Sequence, residues 1–452
     1  MPKRPRILRS HRKIIGQFDV VNPRAAGIDA GAEQHYVSVP EECCSEPVRT
    51  FGTMTKDLYA LAEWLSACGI STVAIEATGV YWMPLYEVLE ERGLSPRLID
   101  SRSIGRRNKK TDVLDCQWIR QLHTHGLLDA AFRPPAQMLP LRAVMRQRKM
   151  LIERAADHVR QIQKALELMN VKLHRVISDT TGVTGMRIIR SIVAGKHDPK
   201  QLAALRDRSC RASEQEFLDA LSGNYRREHL FCLSQQVESF DLCQRQIAAC
   251  DQELETILTE LTGCSEGAQR KAKSSRRKNQ LHFHARELLG QLAGVDLTAV
   301  DGFETATVLA ILAETGTDMS YWPSGKHFAG WLALSPNTCR TGGKPITTRG
   351  ATLHPNRAAQ AFRLAAQTLE RARCALGAFF RRIKSRHGRP IAIKATAHKL
   401  ARIFYAMLKN RTEYRKIEEN EYEQRYQHNA LRALTKRAAA HGYALVPLLE
   451  VH

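Results

Sequence analysis

The sequence predicts a mixed α/β domain near its N-terminal end, followed by an arm and a second domain that are mostly helical. Three observations carry this. Between residues 22 and 135, short β-rich runs alternate with apolar residues at helical spacing. From Leu141 onward, long stretches keep a helical period. The 452 residues also suffice for two or three separate cores.

Ala25-Ala-Gly-Ile-Asp29 reads as a first strand, with a turn at Gly31. A second strand is expected around His35 to Val39, and Val48 to Phe51 reads as a third. Lys56 to Cys68 places Leu58, Leu61, Ala62 and Leu65 on one helix face, and Gly69 ends it. Thr72-Val-Ala-Ile-Glu76 is again a short β-rich run. A helix around Leu85 to Arg92, a strand at Arg97 to Asp100 and a helix from about Asp112 to His123 complete the set. The order β-β-β-α-β-α-β-α is that of the ribonuclease-H-like fold, an analogy of order alone.

Pro134-Pro135 closes this domain, which spans 22–135 after a basic tail at 1–21. The arm occupies 136–268, where Leu141 to Leu173 and Val237 to Leu261 predict a helical hairpin or coiled coil that spaces domains or dimerises. A basic linker at 269–287 includes Gln269 to Lys278, either a solvated run or a strap on phosphates. The second domain covers 288–410, and a charged helical tail fills 411–452. Within Leu292 to Glu314, Gly294-Val-Asp and Val300-Asp-Gly-Phe303 precede an apolar helix. That is either a helix-hairpin-helix holding a DNA phosphate or a plain helix hairpin.

Lys and Arg number 68 against 46 acids, a formal net charge of +22. Such an excess favours a polyanionic partner, because cations placed on phosphates release condensed counterions. No apolar run approaches the ~20 residues that cross a bilayer. The basic start lacks the apolar stretch of a signal peptide, so a cytoplasmic, nucleoid-associated protein with no membrane partner is expected. The 11 cysteines include no CxxC pair and are expected as reduced thiols. His282-x-His284 is a weak metal signal, and solvated linker histidines are the reading preferred for it.

Four acids stand at strand and helix positions: Asp29, Glu76, Asp112 and Asp115. Glu76 shares a strand face with Ala74, opposite Val73 and Ile75. Asp112 and Asp115 are three apart, which puts them on one helix face. Converging carboxylates repel unless a cation neutralises them, and hard oxygen donors of this kind suit Mg²⁺ or Mn²⁺. Two such ions about 4 Å apart serve phosphoryl transfer.

The blocks Gly27-Ile-Asp29, Glu76-Ala-Thr-Gly79 and Lys110-Thr-Asp-Val-Leu-Asp115 resemble the DEDD transposases of the insertion-sequence 110 family. The blocks Gly330 to Pro336, Thr341-Gly-Gly-Lys344, Asn356-Arg-Ala-Ala359, Arg363-Leu-Ala-Ala366 and Thr396-Ala-His-Lys-Leu400 are closest to its 1111 branch. The resemblance covers roughly 22–130 and 288–410. It implies a resolvase-like metal domain and a second domain with a hydroxyl nucleophile before Gly, usually serine. Here that position is Thr341, a departure, because its β-methyl restricts χ1 and crowds in-line attack. Ser335 is the alternative nucleophile, and an impaired enzyme is a third reading.

Gly342 and Gly343 would let the backbone approach a phosphate, and Lys344, Arg349 and Arg357 could bind phosphates. Asn356-Arg357 and His398-Lys399 match the family pattern without an assigned step. The resemblance further implies double-stranded DNA at element ends and target, a structured non-coding guide RNA, and dimers or tetramers of the chain. Alternatives from the acids alone are a junction-resolving nuclease or invertase. The basic surface by itself would also fit a non-catalytic nucleic-acid scaffold.

Overall fold

A computed structural model describes residues 19–77, 79–100, 104, 111–263, 279–336, 340–341, 344–345 and 356–446. The chain divides into two compact units, Met1–Arg133 and Pro134–His452.

The first unit is a five-stranded sheet flanked by helices. Its strands are β1 (Ala25–Ala30), β2 (Gln34–Ser38), β3 (Val48–Gly52), β4 (Thr72–Glu76) and β5 (Ser95–Ile99), in the order β3-β2-β1-β4-β5. β2 runs antiparallel to β1 and β3, whereas β4 is parallel to β1 and β5. Helices α1 (Thr55–Ala67), α2 (Trp82–Glu91) and α3 (Asp112–Thr124) complete the unit, so each expected element is present within a few residues. Asp57 accepts a hydrogen bond from the Met54 amide at the start of α1, and Gly69, at φ +66°, follows its end.

Strand alternation sends apolar residues to both faces. Ile28, Val37, Val73 and Ile75 pack with Leu58, Leu61 and Leu65 of α1 and Leu85 and Leu89 of α2. Ala74 faces the other way and packs with Ile99 and Ile119 of α3. Gly27 shares that second face. A Cβ there would lie 2.5 Å from the Cys116 carbonyl oxygen and 2.8 Å from Arg120 Cα, so α3 rests directly on the β1 backbone.

At the far end of α3 the His123 ring is buried beside Thr72, with Nε2 3.0 Å from the hydroxyl. The Thr72 hydroxyl donates to the Ser95 carbonyl at 3.2 Å, which leaves His123 Nε2–H as the donor in the pair. Burial, then the Arg97 charge, lowers the His123 pKa to about 4.

Among its described residues the second unit is helical apart from one small hairpin. Helices α4 (Leu139–Leu168) and α9 (Arg227–Thr262) form an antiparallel pair, with His158 against Gln236 and Arg148 against Asp251. Buried residues recur at coiled-coil spacing along both, for example Leu233, Val237, Phe240, Ile247 and Leu254 on α9. The arm is therefore a hairpin folded on itself. Short helices α5 (Leu173–Val176), α6 (Val183–Val193), α7 (Pro199–Ala203) and α8 (Glu214–Leu221) share its core through Ile189, Leu202 and Phe217. Within the seam, Arg148 Nε donates to Asp251 Oδ1 at 2.5 Å, and Nη2 donates to the Asn279 and Gln280 carbonyls. His282 lies 3.2 Å from the same carboxylate, so its partner is a buried acid.

Helices α10 (Ala285–Ala293), α11 (Thr305–Thr315), α12 (Gly325–Trp331), α13 (Arg357–Thr368), α14 (Ala375–His387), α15 (Arg389–Asn410) and α16 (Glu419–Ala440) follow. Their core holds Phe328, Phe362 and Phe404, the last two with ring centroids 5.5 Å apart. Alanines at 358, 359, 361, 365 and 366 let α13 pack closely. Between α10 and α11 a 3-10 turn spans Leu297–Ala299. The Arg411 guanidinium donates to the Ala293 carbonyl and lies over Gly294, so a side chain occupies that face of the loop. The basic run Gln269 to Lys278 lies outside the described residues. All described cysteines are free thiols, and no described helix is long and apolar enough to cross a membrane.

Two outcomes follow from these buried polar groups. The unfolded chain protonates His123 near its ordinary value while the fold holds it neutral, so this stability is present above about pH 6.5 and lost as pH falls towards about 4. Urea unfolding should show a loss of about 2 kcal/mol between about pH 7 and pH 5, absent in His123→Gln. Arg148→Ala, by stranding Asp251, should cost about 3–5 kcal/mol in chemical denaturation. The double change Arg148→Met with Asp251→Leu should restore most of it; equal losses in both variants would refute the seam's charge pairing.

Candidate active site

Strand register brings two of the predicted acids to one end of the sheet. In the parallel β1–β4 pair Ile28 lies opposite Ile75, so Asp29 and Glu76 are the next residues on adjacent strands. Asp29 shares the face of Gly27, and Glu76 that of Ala74, because side chains alternate. Both faces are the one covered by α3. Asp29 and Glu76 are half-buried.

The first turn of α3 supplies the other two acids. Thr111 caps the helix, its hydroxyl accepting from the Leu114 amide at 3.4 Å. Asp112 is exposed and Asp115 half-buried, both in the turn where a helix favours negative charge. Cys116 ties this end to β1. Burial first, then the Asp29 carboxylate, pushes its thiol up to about 12, and Asp115 adds to the shift. Asp29 and Asp115 therefore both act on one buried sulfur, from a strand and a helix. Among the described residues no three His, Cys, Asp or Glu side chains converge as a ready-made metal cluster. Asp29, Glu76, Asp112 and Asp115 carry carboxylates, hard-oxygen groups of the kind that suit a Mg²⁺-type cation.

In the second unit Thr341 ends strand β6 (Arg340–Thr341), which pairs antiparallel with β7 (Lys344–Pro345), Thr341 opposite Lys344. The expected Thr-Gly-Gly-Lys block thus brackets a hairpin. The side chains of Thr341 and Lys344, together with Gly342, Gly343 and Arg349, lie outside the described residues. Ser335 is half-buried, just after Ala333 at φ +54°.

Arg357 opens α13 and is exposed. Asn356 precedes it as the N-cap, its side-chain oxygen accepting from the Ala359 amide at 3.0 Å, which gives that residue a structural task. Close by are residues the sequence reading passed over. Arg142 and Arg146, one turn apart on α4, both bond the nearly buried Glu314 of α11 at 2.7–2.9 Å. Burial would raise the Glu314 carboxyl, but Arg146 and Arg142 hold it below its ordinary value. Burial, then the like charges of Arg146 and Arg357, lowers Arg142 against the pull of Glu314. Two guanidinium groups share one carboxylate, and Arg357, the first residue of α13, adds its charge beside Arg142, so positive charge is in excess there. The i,i+4 arginine spacing was visible in the sequence, but its acid partner lies far along the chain.

His398 and Lys399 sit on α15. Lys399 lies 4.5 Å from the Phe379 ring centroid and 5.1 Å from that of Tyr422, and so holds helices together.

A transposase model of the DEDD, IS110 type matches residues 26–171, which extends the expected similarity through α4 of the arm. A second model, described as a transposase of the IS116/IS110/IS902 family, matches residues 295–381 and stops short of the Thr396–Leu400 block. No curated protein matches the chain. Two domain models of one family thus match in series, and the chain is a member of the IS110 transposase family, which supports a DNA-acting transposase or recombinase.

Proposed function

We propose that the chain cleaves and rejoins double-stranded DNA at the ends of a mobile element and at its target, through a covalent protein–DNA intermediate. The observation that carries this reading is the alignment of Asp29 and Glu76 at adjacent strand ends on the face that α3 covers with Asp112 and Asp115. The strand order β3-β2-β1-β4-β5, with β2 antiparallel, supports a ribonuclease-H-like domain. Asp29, Glu76, Asp112 and Asp115 would hold the metal. When bound, Mg²⁺ or Mn²⁺ supplies Lewis-acid stabilisation of charge on phosphoryl oxygens.

The Thr341 hydroxyl is the nucleophile in this reading. Its oxygen bonds to phosphorus and gives up its proton, while the bond from phosphorus to the departing deoxyribose oxygen breaks. Water attack would release the bond energy. The protein–DNA ester keeps it, and an incoming DNA hydroxyl reverses the step without a nucleotide cofactor. Lys344, Arg349 and Arg357 bind phosphates, and the excess positive charge around Arg142 and Arg146 favours a phosphate at the start of α13. A guide RNA encoded beside the gene and a dimer or tetramer of the chain complete the reading; the +22 charge supports a nucleic-acid assembly.

Asp29→Asn, Glu76→Gln, Asp112→Asn and Asp115→Asn should each lower strand cleavage by at least about 100-fold while melting stays cooperative. Retained cleavage in all four would end the metal-site reading. Mass spectrometry of digested complexes, formed with the full native element, should find a nucleotide-linked peptide at Thr341. That adduct should vanish in Thr341→Ala and persist in Thr341→Ser. An adduct at Ser335 would relocate the nucleophile, and Mg²⁺-dependent nicking without any adduct would favour a nuclease.

A further inference from the structure

The C-terminal helix α16 has two unlike halves. Its first two turns are docked. Arg381 pairs with Glu419, and Arg382 bonds Glu423 at 2.8 Å and the Tyr422 hydroxyl at 3.0 Å. Arg382 also lies 3.4 Å from the Tyr426 ring centroid, and Arg386 donates to the Tyr426 hydroxyl at 2.6 Å. Beyond Tyr426 the pattern stops. Among the described residues no hydrogen bond, ion pair or ring contact joins residues 427–446 to another element. No residue of the helix is buried, and Leu431 and Leu434 are 55% and 50% exposed.

Charge divides the same way. Glu418, Glu419, Glu421 and Glu423 all lie at the docked base, and Glu421 pairs with Arg425 at 2.5 Å. From Gln424 to Val446 there is no acid, while Arg432, Lys436 and Arg437 have no ion-pair partner among the described residues. His428, Arg432 and Lys436 fall at i, i+4, i+8 and form one stripe. Leu431, Leu434 and Ala438 form the next stripe. From 427 to 440 the free part extends about 21 Å at 1.5 Å per residue.

We propose that the distal half of α16, from Gln427 to Ala440, lies in the major groove of duplex DNA, with Arg432, Lys436 and Arg437 on phosphates. A helix about 10–12 Å across fits a B-form major groove about 12 Å wide. The narrow major groove of A-form RNA excludes it. A second copy of the chain is a poorer occupant, since pairing these faces would bring like charges together with no acid between them. The adjacent leucines suit the apolar contacts that thymine methyls offer. The inference rests on the reading that the chain acts on double-stranded DNA and uses none of its catalytic residues.

Fluorescence anisotropy on the full chain tests it, with random-sequence DNA and RNA duplexes of equal length over a salt series. The triple change Arg432→Ala, Lys436→Ala, Arg437→Ala lies on exposed helix and favours helix formation, so melting should not move. It should weaken DNA binding about tenfold near 0.1 M salt and reduce the salt slope by about 2.7, roughly 0.9 per phosphate. RNA duplex binding should be little changed. An unaltered DNA slope would overturn the proposal, as would a larger loss for RNA than for DNA. A change in particle mass by light scattering with DNA binding intact would instead assign the face to a second copy. If the unaltered chain binds no DNA duplex, the wider reading fails as well; binding by the unaltered chain with an unmoved slope in the variant sinks the helix proposal alone.

Discussion

The close seating of α3 on β1 is the constraint from which the rest of the candidate site follows. Gly27 has no side chain, and the Cys116 carbonyl and Arg120 backbone occupy the space that a Cβ would need. A helix held this near the sheet brings its first turn to the ends of β1 and β4. Asp29 and Asp115 thereby come close enough for both to act on Cys116. The buried Cys116 thiol registers this, since Asp29 from the strand and Asp115 from the helix both disfavour its ionisation.

Elsewhere the fold manages buried charge by pairing it across distant elements. Arg148 and Asp251 occupy seam positions where a coiled coil ordinarily places apolar side chains. Such a pair adds little net stability but specifies register, because any slip along the seam strands both charges. Arg142, Arg146 and Glu314 join the first turns of α4 to α11 in a similar way, with Arg357 adding an unbalanced charge. The first pairing closes the arm on itself and the second ties it to α11, so the arm acts as an integral part of the second unit's packing.

At the C-terminal end the aromatic residues take over that task. Phe379, Tyr422 and Tyr426 sandwich Lys399 and Arg382, and the acids of α16 gather at the same base. What remains beyond is a helix with cations and leucines exposed together. Such a face is kept only at some cost in solvation and helix stability, since a short free helix is marginal in water.

Much of the first unit was legible in the sequence. The β-rich run Thr72–Glu76, the helical spacing of Leu58 to Leu65 and the stop at Gly69 are local signals, spread over a few residues each. The face carried by Glu76 followed from alternation alone, and the ordered blocks around Asp29, Glu76 and Asp112 marked the family. The tertiary structure alone decided which helix covers the acidic face and which acid meets Arg142 and Arg146. It also decided that Arg411 fills the Gly294 loop, and where α16 ceases to be docked. Those facts depend on partners as much as 172 residues apart. A periodic pattern states that a face is buried; only the packed chain states against what.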